Sequence, residues 1–199
     1  MAKRKKTETV YQLKITLKGS RPSIWRKVLI NPDLPLEDLH KIIQTTMGWT
    51  NSHLHQFWKD RTNYYLEIND FGELPDNSKS CEYCKTKVSD LLKKEKDKIE
   101  YEYDFGDSWN HVITLEKVLP FDDTEVYPVC IDGKRHCPPE DCGGLWGFYN
   151  MLEILKDPQH EEYEEYLEWL GEEFEPEYFD KKEVNLMLKE VDYGCNFFF

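Results

Sequence analysis

The first clear pattern along the chain is an alternation of apolar and polar residues near the N-terminus. Four apolar residues share one parity, and polar residues separate them: Tyr11, Leu13, Ile15 and Leu17. A period of two is typical of a half-buried strand. A turn at 19–22 follows, and the apolar stretch 24–30 predicts a second strand that pairs with the first as a hairpin.

Helical spacing replaces this alternation after residue 35. Apolar residues spaced by three or four positions predict a helix over 36–48 that ends at Gly48. Short strands are expected over 53–59 and 63–68. The turn-rich segment 69–85 is expected to be a long loop, and Ser89 is expected to cap a short helix through residue 92.

A second and stronger alternation runs through residues 98–118. A two-residue turn at Gly106 and Asp107 would place acidic residues on the face of Trp109, whereas a three-residue loop keeps one face apolar throughout. Because a buried face sets the register, we predict the longer loop, with His111 among aromatic residues on that face. The predicted cross-strand pairs are Phe105 with Trp109, Tyr103 with His111, and Tyr101 with Ile113.

The last third of the chain changes from strand-like to helical patterns. A strand is expected over 126–131 and a loop over 132–144, and helical spacing begins at Leu145. Strands thus dominate the first two thirds and helices the last. This order predicts an α+β fold, with an antiparallel sheet of about five to seven strands and helices from 36–48 and 145–191 packed on it.

Composition limits the class of protein. The 199 residues are 39% hydrophobic and 14% aromatic, so the chain can bury a real core. We expect one α+β domain over 10–199 and a disordered basic tail over 1–9. No apolar run approaches the roughly 18 residues of a membrane span. Because no apolar stretch follows the basic start, as a secretory signal requires, we predict a cytoplasmic protein without membrane contact.

The net charge of −13 is unevenly distributed. The segment from Glu153 to Asp192 holds 15 acidic residues against four basic ones. Such a surface repels a polyphosphate backbone, so it disfavours nucleic acid as a partner of the domain. An acidic helical face would suit a basic protein partner, although acidic faces are usually only solvated.

Five stretches together resemble a known family. They are Pro-Ser-Ile-Trp-Arg-Lys-Val (22–28), Leu-Glu-Asp-Leu-His-Lys-Ile-Ile-Gln-Thr-Thr-Met-Gly-Trp (36–49), Ser-His-Leu-His-Gln-Phe (52–57), Tyr-Glu-Tyr-Asp-Phe-Gly-Asp-Ser-Trp-Asn-His (101–111) and Cys-Pro-Pro-Glu-Asp-Cys-Gly-Gly-Leu-Trp-Gly (137–147). The chain resembles, from about residue 11 to 180, the plasmid ORF-three-like family, named after a reading frame of an agrobacterial Ri plasmid. The resemblance implies an α+β fold and an association with plasmids and insertion elements, but no assigned activity. The Cys81–Cys84 pair departs from the family pattern.

Histidines and carboxylates are the first candidates for chemistry. His53 and His55 are two positions apart, so in a strand both rings would point to one face and could share a metal ion. Asp104, Asp107, Asn110 and His111 lie around one hairpin end. For Asp104 and Asp107 turn chemistry is the favoured interpretation, because Asp side chains hydrogen-bond their own backbone.

The loop Cys137–Gly144 precedes a predicted helix and carries Glu140 and Asp141. Those two carboxylates would repel an anion, so they either cap the helix, which is favoured, or hold a cation. The same loop supplies Cys137 and Cys142, which could complete a four-cysteine zinc site with Cys81 and Cys84. Cys130 or His136 could replace one ligand. Otherwise the cysteines are free, partly buried thiols.

Two functional hypotheses follow. The first is a non-enzymatic binding or adaptor module, with or without a structural zinc, because no complete catalytic motif is present. The second is a metal-dependent hydrolase, for which nucleic acid is one candidate substrate, with a divalent ion held by His53, His55, His111, Glu140 or Asp141. A hydrolase requires these side chains to converge in a cleft, whereas an adaptor does not.

Overall fold

The central feature of the computed structural model is one seven-stranded antiparallel sheet. The structure describes residues 8–65, 83–171 and 173–195. The strands are β1 (Thr9–Leu17), β2 (Trp25–Ile30), β3 (His55–Lys59), β4 (Thr62–Tyr65), β5 (Lys98–Tyr103), β6 (Trp109–Pro120) and β7 (Val129–Lys134). Their order across the sheet is β4-β3-β5-β6-β1-β2-β7. The predicted α+β class and strand number are therefore confirmed for the described residues.

The β1–β2 hairpin forms as the alternation predicts. Tyr11 lies opposite Ile30 and Thr16 opposite Trp25. Leu13 and Ile15 are fully buried, because β1 lies between β2 and β6 in the middle of the sheet. This strand therefore anchors the core.

Five α-helices in the described part of the chain accompany the sheet. They are α1 (Leu36–Met47), α2 (Val88–Leu91), α3 (Gly144–Ile154), α4 (Tyr163–Leu170) and α5 (Lys181–Met187). The apolar face of α1 is fully buried, and Gly48 ends the helix with a left-handed φ of 90°. Helix α2 begins one residue before Ser89, and Lys87 occupies its N-cap position. The prediction that Ser89 caps this helix is therefore wrong.

The β5–β6 hairpin has the predicted buried face but a different register. Tyr103 lies opposite Trp109 and Tyr101 opposite His111, which is a shift of two residues from the prediction. The connecting loop takes up residues 104–108, because Asp104 and Ser108 adopt positive φ angles that a strand does not allow. Since the shift is an even number, His111 still faces the aromatic core, whereas Phe105 is 48% exposed.

The C-terminal third differs from its predicted form. Strand β7 begins at Val129 rather than at residue 126, since Pro128 has no N–H for a ladder, and it extends through Lys134. Short helices alternate with turns beyond it, and neither α4 nor α5 contains a buried residue. The side chain of Asn185 holds α5 on the sheet edge, with bonds of 2.8 Å to both the N–H and the carbonyl of Cys130.

Several predictions concern residues outside the described ranges. These are residues 1–7 of the predicted basic tail (1–9), the part of the predicted strand 63–68 after residue 65, most of the 69–85 loop, and Cys81. Among the residues that are described, no helix is both long and apolar enough to cross a membrane.

A buried polar network joins α1 to β5. Tyr101 Oη lies 2.8 Å from His40 Nδ1 and accepts a hydrogen bond of 2.9 Å from Gln44 Nε2. His40 Nε2 lies 2.6 Å from Asn51 Oδ1, and the Asn51 N–H donates to Gln44 Oε1. A neutral His40 with its proton on Nε2 satisfies every one of these bonds. Burial favours that form, since it lowers the pKa of His40 to about 3.

We expect Tyr101→Phe to lower the free energy of unfolding by about 1–3 kcal/mol, because it leaves His40 and Gln44 with unpaired buried atoms. Chemical denaturation of both proteins measures this difference. Tyr127→Phe is the matched control, since the Tyr127 hydroxyl has no hydrogen bond to the described residues, and its expected change is below about 0.5 kcal/mol. Equal losses in the two variants would contradict a structural role for the network.

Candidate functional site

Three connecting segments meet at one end of the sheet. They are the β5–β6 loop (104–108), the segment before α3 (137–143) and the segment between α1 and β3 (48–54). The Asp104 N–H donates to the Leu54 carbonyl at 2.9 Å, and the Gly143 N–H donates to Asp107 Oδ2 at 3.1 Å. These bonds hold the three segments against one another.

His53, Asp104 and Asp141 bring one imidazole and two carboxylates together at this junction. The three potential ligand atoms all lie within 4.8 Å of one another. His53 Nε2 is 3.3 Å from Asp141 Oδ1 and 3.8 Å from Asp104 Oδ2, and neither contact has the geometry of a hydrogen bond. The side chain of Asp104 is 10% exposed and that of Asp141 is 70% exposed. We call this cluster the acid–histidine site, and it is open to solvent on the Asp141 side.

The backbone at both aspartates explains the convergence. Asp104 has a φ of 55° and Asp141 a φ of 59°, a left-handed conformation that Asp tolerates better than most residues. Asp104 Oδ1 accepts a bond from the Gly106 N–H, so the predicted turn chemistry of Asp104 is present. Its other oxygen remains directed towards His53. Asp107 instead binds across to Gly143, which the turn interpretation did not predict.

Glu140 adjoins the acid–histidine site and binds other partners. It accepts hydrogen bonds from the Tyr103 hydroxyl, from Thr50 N–H at 3.0 Å and Thr50 Oγ1 at 2.5 Å, and from Ser52 Oγ at 3.4 Å. Burial and the bond to Glu140 raise the pKa of Tyr103 above its usual range. Glu140 therefore links the loop before α3 to the segment that carries His53. Neither Glu140 nor Asp141 caps α3, whose N-cap is Gly143 without a side-chain bond, so the capping prediction is wrong.

His55 and His111 lie elsewhere. Strand β3 begins at His55, so His53 precedes it and the two rings do not share a strand face. The His55 ring stacks on His40 with centroids 3.4 Å apart, and its Nε2 lies 2.6 Å from the Tyr83 hydroxyl. His111 is fully buried beside Trp49, and among the described residues neither of its ring nitrogens has a hydrogen-bond partner of normal geometry. The described residues do not bring these two histidines to the acid–histidine site.

The cysteines also occupy separate surroundings. Cys137 Sγ contacts Met47 Sδ at 3.3 Å, Cys142 Sγ lies 3.9 Å from the Gly144 carbonyl, and Cys84 is exposed. Burial raises the pKa of Cys137 and of Cys142 to about 12, which disfavours the thiolate that a metal requires. Among the described residues these three thiols do not form a metal-binding group. Cys81 lies outside those residues, so the four-cysteine site remains a prediction.

Sequence reasoning missed part of this geometry. The predicted register leaves Asp104 in a strand, on the face opposite His111, and does not connect it with His53. Tyr103 also received no role. The available signal was the sequence Asp-Phe-Gly-Asp-Ser (104–108), since a run of turn-forming residues favours a longer loop that would release Asp104 from the strand.

The fold and site define a class of α+β protein with a candidate metal site at the loop end of an antiparallel sheet. The chain belongs to the family described as plasmid pRiA4b ORF-3-like protein, which matches residues 9–183. It is 38% identical over 163 residues to the uncharacterized protein y4hQ of Sinorhizobium fredii, covering 82% of this chain and 81% of that one. The crystal structure of the protein of unknown function MM3350 from Methanosarcina mazei Go1 is similar, with a TM-score of 0.76 and 42% identity. That match covers 91% of this chain and 99% of the other.

Buried His111 generates a pH prediction. Burial lowers its pKa to about 3, whereas an unfolded chain protonates histidine near pH 6.5. Its contribution to stability is therefore fully present above about pH 6.5 and is lost as the pH falls towards 3. We therefore compare the free energies of unfolding of His111→Leu and of the unsubstituted protein. As the pH is lowered from 7.5 to 5, we expect the difference to change by about 2 kcal/mol in favour of the variant, because leucine does not take up a proton on unfolding.

Denaturant unfolding at several pH values measures this difference. Ile113→Val is the control, because Ile113 lies on the same buried face of β6 and does not titrate. We expect it to lower stability by about 1 kcal/mol equally at every pH. If the His111→Leu difference is also independent of pH, the buried histidine is not neutral as described.

Proposed function

We propose that this protein binds a divalent cation at the acid–histidine site and uses it to activate water for hydrolysis. The observation that carries the proposal is the convergence of His53, Asp104 and Asp141 from three separate segments. The metal-dependent hydrolase hypothesis requires such convergence. Two of its five candidate residues, His53 and Asp141, lie in the cluster, and Glu140 adjoins it.

The charge balance favours a cation at this point. Asp104 is nine-tenths buried, and among the described residues the basic side chain within 4 Å of Asp104 and Asp141 is His53, which is charged only when protonated. Neither lysine nor arginine in the described part of the chain pairs with these two carboxylates. A carboxylate that is removed from water needs a compensating charge, which a divalent ion between the two would supply.

The donor set indicates which ions would bind. One imidazole nitrogen and two carboxylate oxygens suit Mn²⁺, Zn²⁺ or Fe²⁺ better than the softer ions that thiolates select. Three protein ligands leave coordination positions free for water, as in catalytic rather than structural metal sites. A bound divalent ion would lower the pKa of that water and supply a nucleophile near neutral pH. The exposed Asp141 side is where a substrate would approach, and Leu54 and Phe105, each 48% exposed, flank the site.

An adaptor function is the second candidate, and one observation favours it. Trp146 on α3 is 80% exposed, and Trp169 on α4 is 46% exposed and shares a surface depression with Glu162 and Glu165. Exposed tryptophans are enriched in protein interfaces. An adaptor would use these residues without requiring a metal ion.

Metal binding by protein without a histidine tag tests the proposal. We expect about one Mn²⁺ or Zn²⁺ per chain by calorimetric titration, and at least about tenfold weaker binding in Asp104→Asn and Asp141→Asn. Asparagine tolerates the left-handed backbone at both positions, so these variants should fold. Asp60→Asn is the matched control, because Asp60 is an exposed aspartate with a positive φ in the β3–β4 turn.

Hydrolysis provides the second measurement. Mn²⁺-dependent release of nitrophenol from p-nitrophenyl phosphate or its diester should disappear in Asp104→Asn and persist in Asp60→Asn. Unchanged metal affinity in both site variants would overturn the proposed site. If bound zinc is instead lost in Cys137→Ser or Cys142→Ser, the metal belongs to the predicted cysteine site. Metal binding without hydrolysis of either substrate would leave cation binding and remove the catalytic part of the proposal.

A further inference from the structure

A separate cleft of about 540 Å³ opens beside the acid–histidine site. Its walls are formed by the end of α1, the segment 136–140, Leu170 and residues from the segment 173–183. Its volume falls in the range of pockets that hold small organic molecules or a single long side chain. None of its lining residues belongs to the metal cluster.

Aromatic rings form one wall of the cleft. The ring of His136 lies edge-on to Phe174 with centroids 4.6 Å apart, and Tyr178 lies 6.0 Å from the same ring. The backbone N–H of His136, two residues after β7, donates to the Pro176 carbonyl at 3.0 Å and joins this part of the chain to the 173–178 segment. The wall is therefore built by contacts between two parts of the chain rather than by one loop.

Carboxylates complete the cleft. Glu183 accepts a hydrogen bond of 2.6 Å from the Tyr178 hydroxyl. This bond holds the aromatic ring and the carboxylate side by side in the lining of the cleft. Glu173 and Glu175 line the cleft without an ion-pair or side-chain hydrogen-bond partner among the described residues. No lysine or arginine of the described ranges lines it. Carboxylates and aromatic rings thus share the lining of this cleft.

We propose that this cleft binds a cationic group, an ammonium or a guanidinium, carried on an apolar stem. The carboxylates would pair with the charge. The rings of Phe174 and Tyr178 would contact either the apolar stem or, through their faces, the cation itself. The site does not depend on the proposed metal. Glu140 lines the cleft, and the next residue in the chain, Asp141, belongs to the acid–histidine site. A ligand bound in the cleft would therefore lie next to that site.

Such a cation could come from a free amine or from a basic side chain of another protein. Titration calorimetry with agmatine, with spermidine and with an arginine-rich peptide distinguishes these sources. We expect saturable binding of at least one probe in chelator-treated protein, since the metal is not required. Binding of agmatine or spermidine alone indicates a small-molecule site, and binding of the peptide alone indicates a basic protein partner.

The double substitution Glu173→Gln and Glu175→Gln tests the location, and we expect it to weaken binding about tenfold. The double substitution Glu161→Gln and Glu164→Gln is the control. These two glutamates are exposed and lie outside the cleft, and their substitution removes the same net charge. Tyr178→Phe should retain most of the affinity, since it keeps the ring.

Three results would overturn the proposal. The first is that no probe saturates. The second is that both double variants weaken binding equally, since diffuse charge would then be the cause. The third is that the neutral molecule pentanol binds with the same affinity as agmatine, since binding would then not require a cation. None of them bears on metal binding at His53, Asp104 and Asp141, which is measured without these probes.

Discussion

The packing of α1 against the inner face of the sheet positions the rest of the candidate site. Apolar contacts of Leu39 and Ile43 hold the helix there, and the bonds among His40, Gln44, Asn51 and Tyr101 set its rotation. Asn51 belongs to the segment that leads to His53, so the network also directs that segment over the sheet. The hydrogen bonds of a polar network inside an apolar core can all form in only a few arrangements of the chain. The network therefore constrains the position of α1 closely.

Two residues with left-handed backbone conformation bring the carboxylates of the acid–histidine site together on this scaffold of sheet and helix. Asp104 leaves β5 and Asp141 turns just before α3, both at positive φ, and each carboxylate consequently faces His53. Glu140 and Asp107 secure the two loops by hydrogen bonds to other segments. Residues that loops supply on a rigid sheet are the usual way in which binding chemistry is added to a fold.

The acidic character of the chain has different consequences in different places. At the acid–histidine site a buried carboxylate faces an exposed one, which favours a divalent ion. In the adjacent cleft the carboxylates lie beside aromatic rings, which favours an organic cation. On α4 the glutamates are exposed, and exposed charges contribute little beyond solubility. Net charge alone does not distinguish these environments.

Local pattern was sufficient for the elements with a strong period. The β1–β2 hairpin, α1 with its stop at Gly48 and the buried face of β6 all follow from the spacing of apolar residues, because burial of one face dominates their energy. The exact register of β5 with β6 did not follow. Shifts of two residues keep the same face buried, so the loop conformation decides between them.

The α+β class, the family and the identity of most residues capable of chemistry thus follow from the amino-acid sequence. Which of these residues meet depends on the tertiary structure. His53 and His55 are neighbours in the chain, but one lies at the solvent-open site and the other stacks on His40 in the core. Asp104 and Asp141 are far apart in the chain and adjacent in space, because the sheet order and the loop hydrogen bonds bring their segments together. Spacing along a chain reports local periodicity and carries little information about such long-range contacts.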